Sequence, residues 1–311
     1  MFNVTYFAPN NLSDALDYLS EHKDVRVLAG GTDLIAKWKK IGHPDMDLLD
    51  IRNIESFKEI SQCENGLFIG AGATMDMVQY SAVIVEQLPI LAEAAGKVGS
   101  VQVRNMATIG GNICNAAPSA DTVLPLIVYD AEAVIVSKNA EKRCPLKKFF
   151  VGPGKTILQQ GELLKGVFVP YPAKGSGAAF AKHSRRVGMD LATVGAAVDI
   201  CLSDDTVGYV RVALGAVGPV PIFVKSLEKF TGAKIGDGVI EEIAVISADQ
   251  AVPITDVRGS REYRKDMVYE NVKKCLSEAL KKQCNLTVGG ILCENCRLFT
   301  PSAARVAYLS L

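Results

Sequence analysis

The chain has 311 residues, and at about 150 residues per domain this is room for roughly two domains and a sizeable core. With 49% hydrophobic and 22% charged residues, 27 Gly and 13 Pro, its composition is that of an ordinary globular protein, which excludes a disordered or fibrous chain. Lys plus Arg and Asp plus Glu balance at 34 each, so no net field draws the chain to nucleic acid or to anionic lipid.

The longest charge-free run, residues 105–120, is too short and too polar to cross a bilayer, and the first residues lack the basic-then-apolar order of a secretory signal. A cytoplasmic protein without a membrane span is expected. The eight cysteines are too thinly spread for a disulfide framework and are expected to be mostly reduced thiols in cores. Without a secretory route, Asn-x-Ser/Thr at Asn3, Asn11 and Asn285 is a chance match.

In chain order, Leu12, Ala15, Leu16 and Leu19 share one face of a helix expected from Leu12 to His22, capped by Asn11 or Ser13. Val25 to Leu28 reads as a strand running into the small-residue turn Ala29-Gly30-Gly31-Thr32-Asp33, and Leu48 to Ile51 as a second strand. Two helical stretches are expected between Met75 and Gly96, the first capped by Thr74, followed by a glycine-rich loop at 108–112. Thr122 to Tyr129 reads as a short helix, and Ala133 to Val136 and Leu164 to Val169 as strands. The Pro- and Gly-rich connector from Pro170 to Gly177 marks a domain boundary. Beyond it, strands are expected at 179–182, 192–202 and 207–214, helices at 222–231 and 239–247, and a final helix at 262–282 with Val268, Val272, Cys275, Leu276 and Ala279 on one face.

The familiar nucleotide signatures fail on inspection. Gly154-Lys155-Thr156 resembles the end of a Walker A loop, but Phe149 stands where that motif needs glycine. Gly70-Ala71-Gly72 follows a strand, but Met75 occupies the place of the third glycine of a dinucleotide fingerprint. Two other glycine pairs are more informative, one in Ala29 to Leu34 and one in Thr108-Ile109-Gly110-Gly111-Asn112. Successive amides in such turns suit a pyrophosphate, with Thr32, Thr108 and Asn112 as donors at the rim, and the same residues also suit plain tight turns.

Together with Ile113-Cys114-Asn115-Ala116-Ala117-Pro118-Ser119-Ala120-Asp121 behind the second pair, these motifs resemble the FAD-binding subunit of the xanthine dehydrogenase family of molybdenum hydroxylases. Gly152-Pro153-Gly154-Lys155, the Lys182 to Thr193 stretch and Asp256-Val257-Arg258-Gly259-Ser260 with Tyr263-Arg264 are similar to that subunit in the same order, so the resemblance covers about residues 1–283. It implies an α+β fold: a two-subdomain FAD-binding domain of the vanillyl-alcohol-oxidase type at 1–176, divided near 56, and an α+β domain of the CO dehydrogenase flavoprotein type at 177–284. A tail at 285–311 is unmatched.

By the resemblance, Val27, Leu28, Ala29, Gly30, Gly31, Thr32, Asp33, Leu34, Thr108, Ile109, Gly110, Gly111, Asn112, Asp121, Leu164 and Lys182 line the FAD site. A cation beside the flavin ring would stabilise its reduced, anionic form, which makes Lys182 chemically sensible. The other readings are a strand-edge lysine for Lys182 and a helix cap for Asp121. The resemblance further implies an oxidoreductase subunit with no catalytic side chain and no metal of its own. Electrons arrive from [2Fe-2S] clusters on a small subunit, a molybdopterin-binding large subunit oxidises the substrate, and NAD+ is the acceptor, in a heterotrimer, single or doubled. Xanthine is the expected substrate, with carbon monoxide, nicotinate, aldehyde or aromatic substrates as siblings; a stand-alone flavin oxidase and a flavin-free scaffold are the other classes considered.

His22, His43 and His183 form no triad or metal set in sequence. Only Cys114 and Cys144 lie between the second glycine motif and Lys182, so the extra cluster of the benzoyl-CoA reductase branch is expected to be absent. Cys293-Glu294-Asn295-Cys296 with Cys275 and Cys284 could ligate zinc or an iron-sulfur cluster, though free thiols are the expectation.

Overall fold

The computed structural model describes residues 4–41 and 46–287. His43, Cys293 and Cys296, about which expectations were formed, lie outside them, as does the side chain of Cys284. The first unit is β1 (Val4–Phe7), α1 (Leu12–Glu21), β2 (Arg26–Leu28), α2 (Leu34–Ile41) and β3 (Met46–Asp50). Its strands make a parallel sheet in the order β1-β3-β2. Asn11 caps α1, its Oδ1 accepting from the Asp14 amide at 2.9 Å, and the helix buries Ala15, Leu16 and Leu19 in one cluster with Leu49, Ile54 and Phe57. Helix α2 carries no fully buried described side chain, and so it gave no periodic signal.

The second unit holds β4 (Ile60–Cys63), β5 (Gly66–Gly70), α3 (Met75–Tyr80), α4 (Ala82–Gln87), α5 (Pro89–Gly96), α6 (Val101–Met106), α7 (Ile109–Cys114), α8 (Val123–Val128), β6 (Glu132–Val136), β7 (Glu141–Pro145), β8 (Phe150–Gly152), β9 (Lys155–Thr156) and β10 (Leu163–Pro170). An antiparallel sheet runs β4-β5-β10-β6-β7, with β8 and β9 as a separate hairpin. Residues 75–96 form three helices where two were expected. Ser81 takes extended geometry, and Leu88 is pushed out of the helical region by Pro89, which then starts the next helix. The expected loop at 108–112 is instead the first turns of α7: the Thr108 side chain caps the helix by accepting from the Gly111 amide, so the glycines are wound into a helix.

The third unit is β11 (Gly177–His183), β12 (Val194–Ser203), β13 (Thr206–Gly215), β14 (Ile222–Phe223), α9 (Asp237–Gln250) and α10 (Arg261–Thr287). Its antiparallel sheet runs β11-β12-β13-β14, and the predicted face of α10, from Val268 to Ala279, is buried against it with α9. The helix expected at 222–231 is absent. Ile222 and Phe223 pair with Leu214 and Ala213, and only Glu228–Phe230 makes a short turn of helix. Val224, Leu227 and Phe230 are buried at helical spacing, so an irregular chain over an apolar surface imitated the period.

Two features join the units. The side chain of Leu124 on α8 lies under β12 and β13, where a Cβ on Gly195 would stand 2.8 Å from Leu124 Cδ1, and the Ala216 amide donates to the Pro118 carbonyl at 2.7 Å. The buried Arg264 donates to the carbonyls of Thr193 and Ala216 and to Asp256, pinning the start of α10 to the ends of β12 and β13. Arg258 then Arg264 hold the Asp256 carboxyl well below the usual carboxylate range. Among the described residues no helix is long and apolar enough to cross a membrane.

Candidate functional site

The chain leaves β2 at Leu28, whose carbonyl accepts from the Ile51 amide, and turns through Gly31 at φ +69° into α2. Only glycine takes that backbone without strain. The Ile35 and Lys37 amides already reach back to the carbonyls of Gly31 and Asp33. Among the described residues, the amides of Gly30, Gly31, Thr32, Asp33 and Leu34 donate to no protein acceptor. Five donors without a protein acceptor at the positive end of α2 suit an anion.

The second glycine run is different. The amides of Ile109 and Gly110 donate to the carbonyls of Ala73 and Ala71, and those of Gly111 and Asn112 to the Thr108 hydroxyl and carbonyl. All four are engaged within the chain, which corrects the expectation that both runs open their amides to a ligand. What this run offers is the Thr108 hydroxyl proton, the Asn112 side-chain amide nitrogen and a close fit. A Cβ on Gly30 would collide with the Met106 carbonyl oxygen and stand 2.9 Å from Ala107 Cα, and one on Gly110 would stand 2.5 Å from Ala71 Cβ. The first run therefore meets the chain just ahead of the second, at Met106 and Ala107, backbone to backbone, while Gly110 packs on Ala71.

Between them lies a cavity of about 200 Å³ lined by Ala29, Gly30, Ile51, Arg52, Lys58, Gly72, Thr74, Asn105, Met106 and Thr108. Ala29, Gly30 and Thr108 were expected there; Arg52, Lys58, Thr74 and Asn105 were missed. Gly72 belongs to the Gly70-Ala71-Gly72 run set aside because it fails the dinucleotide pattern, and Thr74 was read only as a cap. The cap reading of Thr74 holds, since its side chain caps α3, and the residue also faces Thr108 across an isolated bridge. The Thr108→Ala variant is expected to lose about 1 kcal/mol through the vacated cap of α7, measured as a lower denaturation midpoint at unchanged slope.

Asp121 and Lys182 form a second group. Lys182 Nζ lies 2.7 Å from Asp121 Oδ2 and donates to the Lys97 carbonyl at 3.0 Å, with both side chains about one-tenth exposed. Burial pushes the Asp121 carboxyl up to about 6, against the opposing pull of Lys182 and then Lys97. Lys182 stands on the edge strand β11, as the strand-edge reading has it, with its ammonium turned inward onto Asp121. Asp121 does not cap α8: that position is Thr122, whose hydroxyl donates to Asn112 Oδ1 at 2.7 Å and so links this group to the second glycine run.

The remaining expected residues divide by exposure. Ile109 and Leu164 are core residues, and Leu28 is buried, so these three can present only backbone to a ligand. Val27, Thr32 and Asp33 are exposed and Leu34 is half-buried. Elsewhere, Cys63, Cys114, Cys144, Cys201 and Cys275 are free, Cys63 being exposed rather than in a core. Among the described residues no three His, Cys, Asp or Glu side chains gather as metal ligands. His22 stacks on Tyr18, and His183 hydrogen-bonds Tyr263.

Comparison with known proteins gives two consecutive family matches: the FAD binding domain in molybdopterin dehydrogenase over residues 2–172, and the CO dehydrogenase flavoprotein C-terminal domain over 178–279. The xanthine dehydrogenase FAD-binding subunit of Escherichia coli O157:H7 is 32% identical over 280 residues, 89% of this chain and 96% of that protein. The carbon monoxide dehydrogenase medium chain of Hydrogenophaga pseudoflava is also 32% identical over 280 residues, 88% and 96% of the two chains. Among solved structures, carbon monoxide dehydrogenase from H. pseudoflava superposes with a TM-score of 0.86 at 30% identity, covering 90% of this chain and 98% of that one. Quinoline 2-oxidoreductase from Pseudomonas putida 86 gives 0.84 at 26%, covering 91% and 98%.

Proposed function

The chain belongs to the family of FAD-binding subunits of molybdenum hydroxylases, and from that premise we propose that it carries electrons from iron-sulfur clusters of a small partner subunit to NAD+ within a cytoplasmic xanthine dehydrogenase. The residues present fit the cofactor: five free amides at the start of α2 would serve its two phosphate charges, two cations line the adjoining cavity, and Gly30 lies too close to Met106 and Ala107 for any side chain between them. That backbone-to-backbone meeting at Gly30 is the observation that carries the reading.

Bound FAD supplies a two-electron carrier that can be filled one electron at a time and emptied as a hydride. The chain's own residues bind and orient. The loop from Ala29 to Leu34 supplies donors for the pyrophosphate, the Thr108 hydroxyl and Asn112 amide add donors at its rim, and Ile109, Gly110, Gly111, Val27, Leu28 and Leu164 give the site its walls. Lys182, held in place by Asp121 and the Lys97 carbonyl, would offer its positive charge to the flavin ring. No side chain here acts as acid or base. We place the FAD-binding domain at 1–176, its inner division near residue 56, and the C-terminal domain at 177–284.

Xanthine dehydrogenase subunits support the substrate assignment, and the carbon monoxide enzyme, at the same identity, supports a second reading as a sibling hydroxylase. The test is the complex purified through this chain. Its spectrum should show flavin bands with about one FAD released per chain, and NAD+ should be reduced with xanthine but not with carbon monoxide or nicotinate. A colourless chain that takes up no added FAD overturns the flavin reading; reduction driven by another substrate overturns the xanthine assignment.

A further inference from the structure

The free amides of the first glycine run offer dipoles but no net charge, so the cavity beside them needs a cation if it is to hold a diphosphate. Arg52 and Lys58 both line it, and no carboxylate does. Lys58 is committed to an exposed pair with Glu55 at 2.7 Å. Arg52 is held differently. Its Nε donates to both oxygens of Asp50, at 2.9 and 3.0 Å, and its Nη2 to Oδ2 at 2.5 Å. Asp50 is 2% exposed and also accepts from the Tyr6 hydroxyl at 2.6 Å and the Arg52 amide at 3.0 Å. Among the described residues Arg52 Nη1 makes no hydrogen bond.

A guanidinium clamped along one edge, with the other nitrogen unengaged beside a cavity, has its orientation fixed before any ligand arrives, so little freedom is lost on binding. Asp50 lies beneath it and takes only the clamped edge. Resting on the flavin reading, we propose that Arg52 is the cation that anchors the phosphorylated part of the cofactor through Nη1, with Asp50 and Tyr6 as positioning residues.

The test uses the full chain freed of flavin and titrated by fluorescence with FAD and with riboflavin, which lacks phosphate. Arg52→Gln is expected to weaken FAD binding about 10- to 100-fold, the range of a charge-assisted hydrogen bond, and to leave riboflavin binding unchanged. Its thermal midpoint without flavin shows whether the fold survives. Arg52→Lys serves as the second variant: an ammonium keeps the charge but cannot grip Asp50 and the ligand together, so FAD should bind about tenfold more weakly than to wild type. Tyr6→Phe, which loosens Asp50, should give a smaller loss in the same direction. Wild-type FAD affinity in both Arg52 variants, or equal losses for FAD and riboflavin, overturns the proposal. If the wild-type chain binds neither flavin, the flavin reading fails, and the role of Arg52 fails with it.

Discussion

Gly30→Ala is expected to release most of the flavin from an otherwise folded chain. The added Cβ collides with the Met106 carbonyl oxygen, a backbone atom of the last residue of α6 that no side-chain rotation can move aside. The first glycine run must move away from Met106 and Ala107, at a strain of about 1–3 kcal/mol typical of overpacking, equivalent to about 5- to 150-fold if it all falls on affinity. The free amides then move relative to the cavity wall that carries Thr108. Gly111→Ala is the comparison, since its Cβ would meet only the Thr108 hydroxyl at 3.0 Å. FAD content per chain after gel filtration should fall steeply for the first variant and slightly for the second. Full flavin content in Gly30→Ala would show that the close approach is irrelevant to binding.

Lys182→Met is expected to destabilise the chain most at alkaline pH. The ammonium is the nearest counter-charge of a carboxylate that is itself about one-tenth exposed, and removing one partner of a buried pair costs about 3–5 kcal/mol. The pH dependence follows from the direction of the Asp121 shift. Burial holds this carboxyl at about 6 against an ordinary 3.8, so the native chain binds the proton more tightly than the unfolded one. That contribution is favourable at low pH and is lost as pH rises across the window from 3.8 to about 6, staying constant above it. Losing Lys182 removes the largest opposing influence, pushes the carboxyl higher and widens the window upward. The loss in thermal midpoint should therefore be larger at pH 8 than at pH 5, and Asp121→Asn in the same chain should recover much of it. Equal losses at both pH values, or no recovery in the double variant, would count against the buried pair.

How far the site was legible depended on what kind of signal each residue carries. Gly30, Gly31, Gly110 and Gly111 stood out as paired glycines that leave the backbone bare, and Lys182 and Asp121 because a motif accompanied them. Arg52, Lys58, Thr74 and Asn105 come from four separate segments, and no local pattern marks residues that are neighbours only after folding. Arg52 in particular looks like any surface arginine until Asp50 and Tyr6, from two adjacent strands, are seen to hold it. The helix misread at 222–231 shows the converse, a periodic pattern produced by an irregular segment lying on an apolar surface.

The amphipathic faces of α1 and α10 were legible because they are properties of local spacing, and the α+β class and the family came from the resemblance of the glycine motifs, in their order, to a known subunit. Which glycine amides stay open was settled by packing. Both runs look alike as strings of small residues, but Thr108 and the carbonyls of Ala71 and Ala73 engage the amides of Ile109, Gly110, Gly111 and Asn112, while among the described residues nothing accepts from those of Gly30, Gly31, Thr32, Asp33 and Leu34. A backbone donor is available to a ligand only where the rest of the chain leaves it unpaired, and that depends on contacts between residues far apart in sequence.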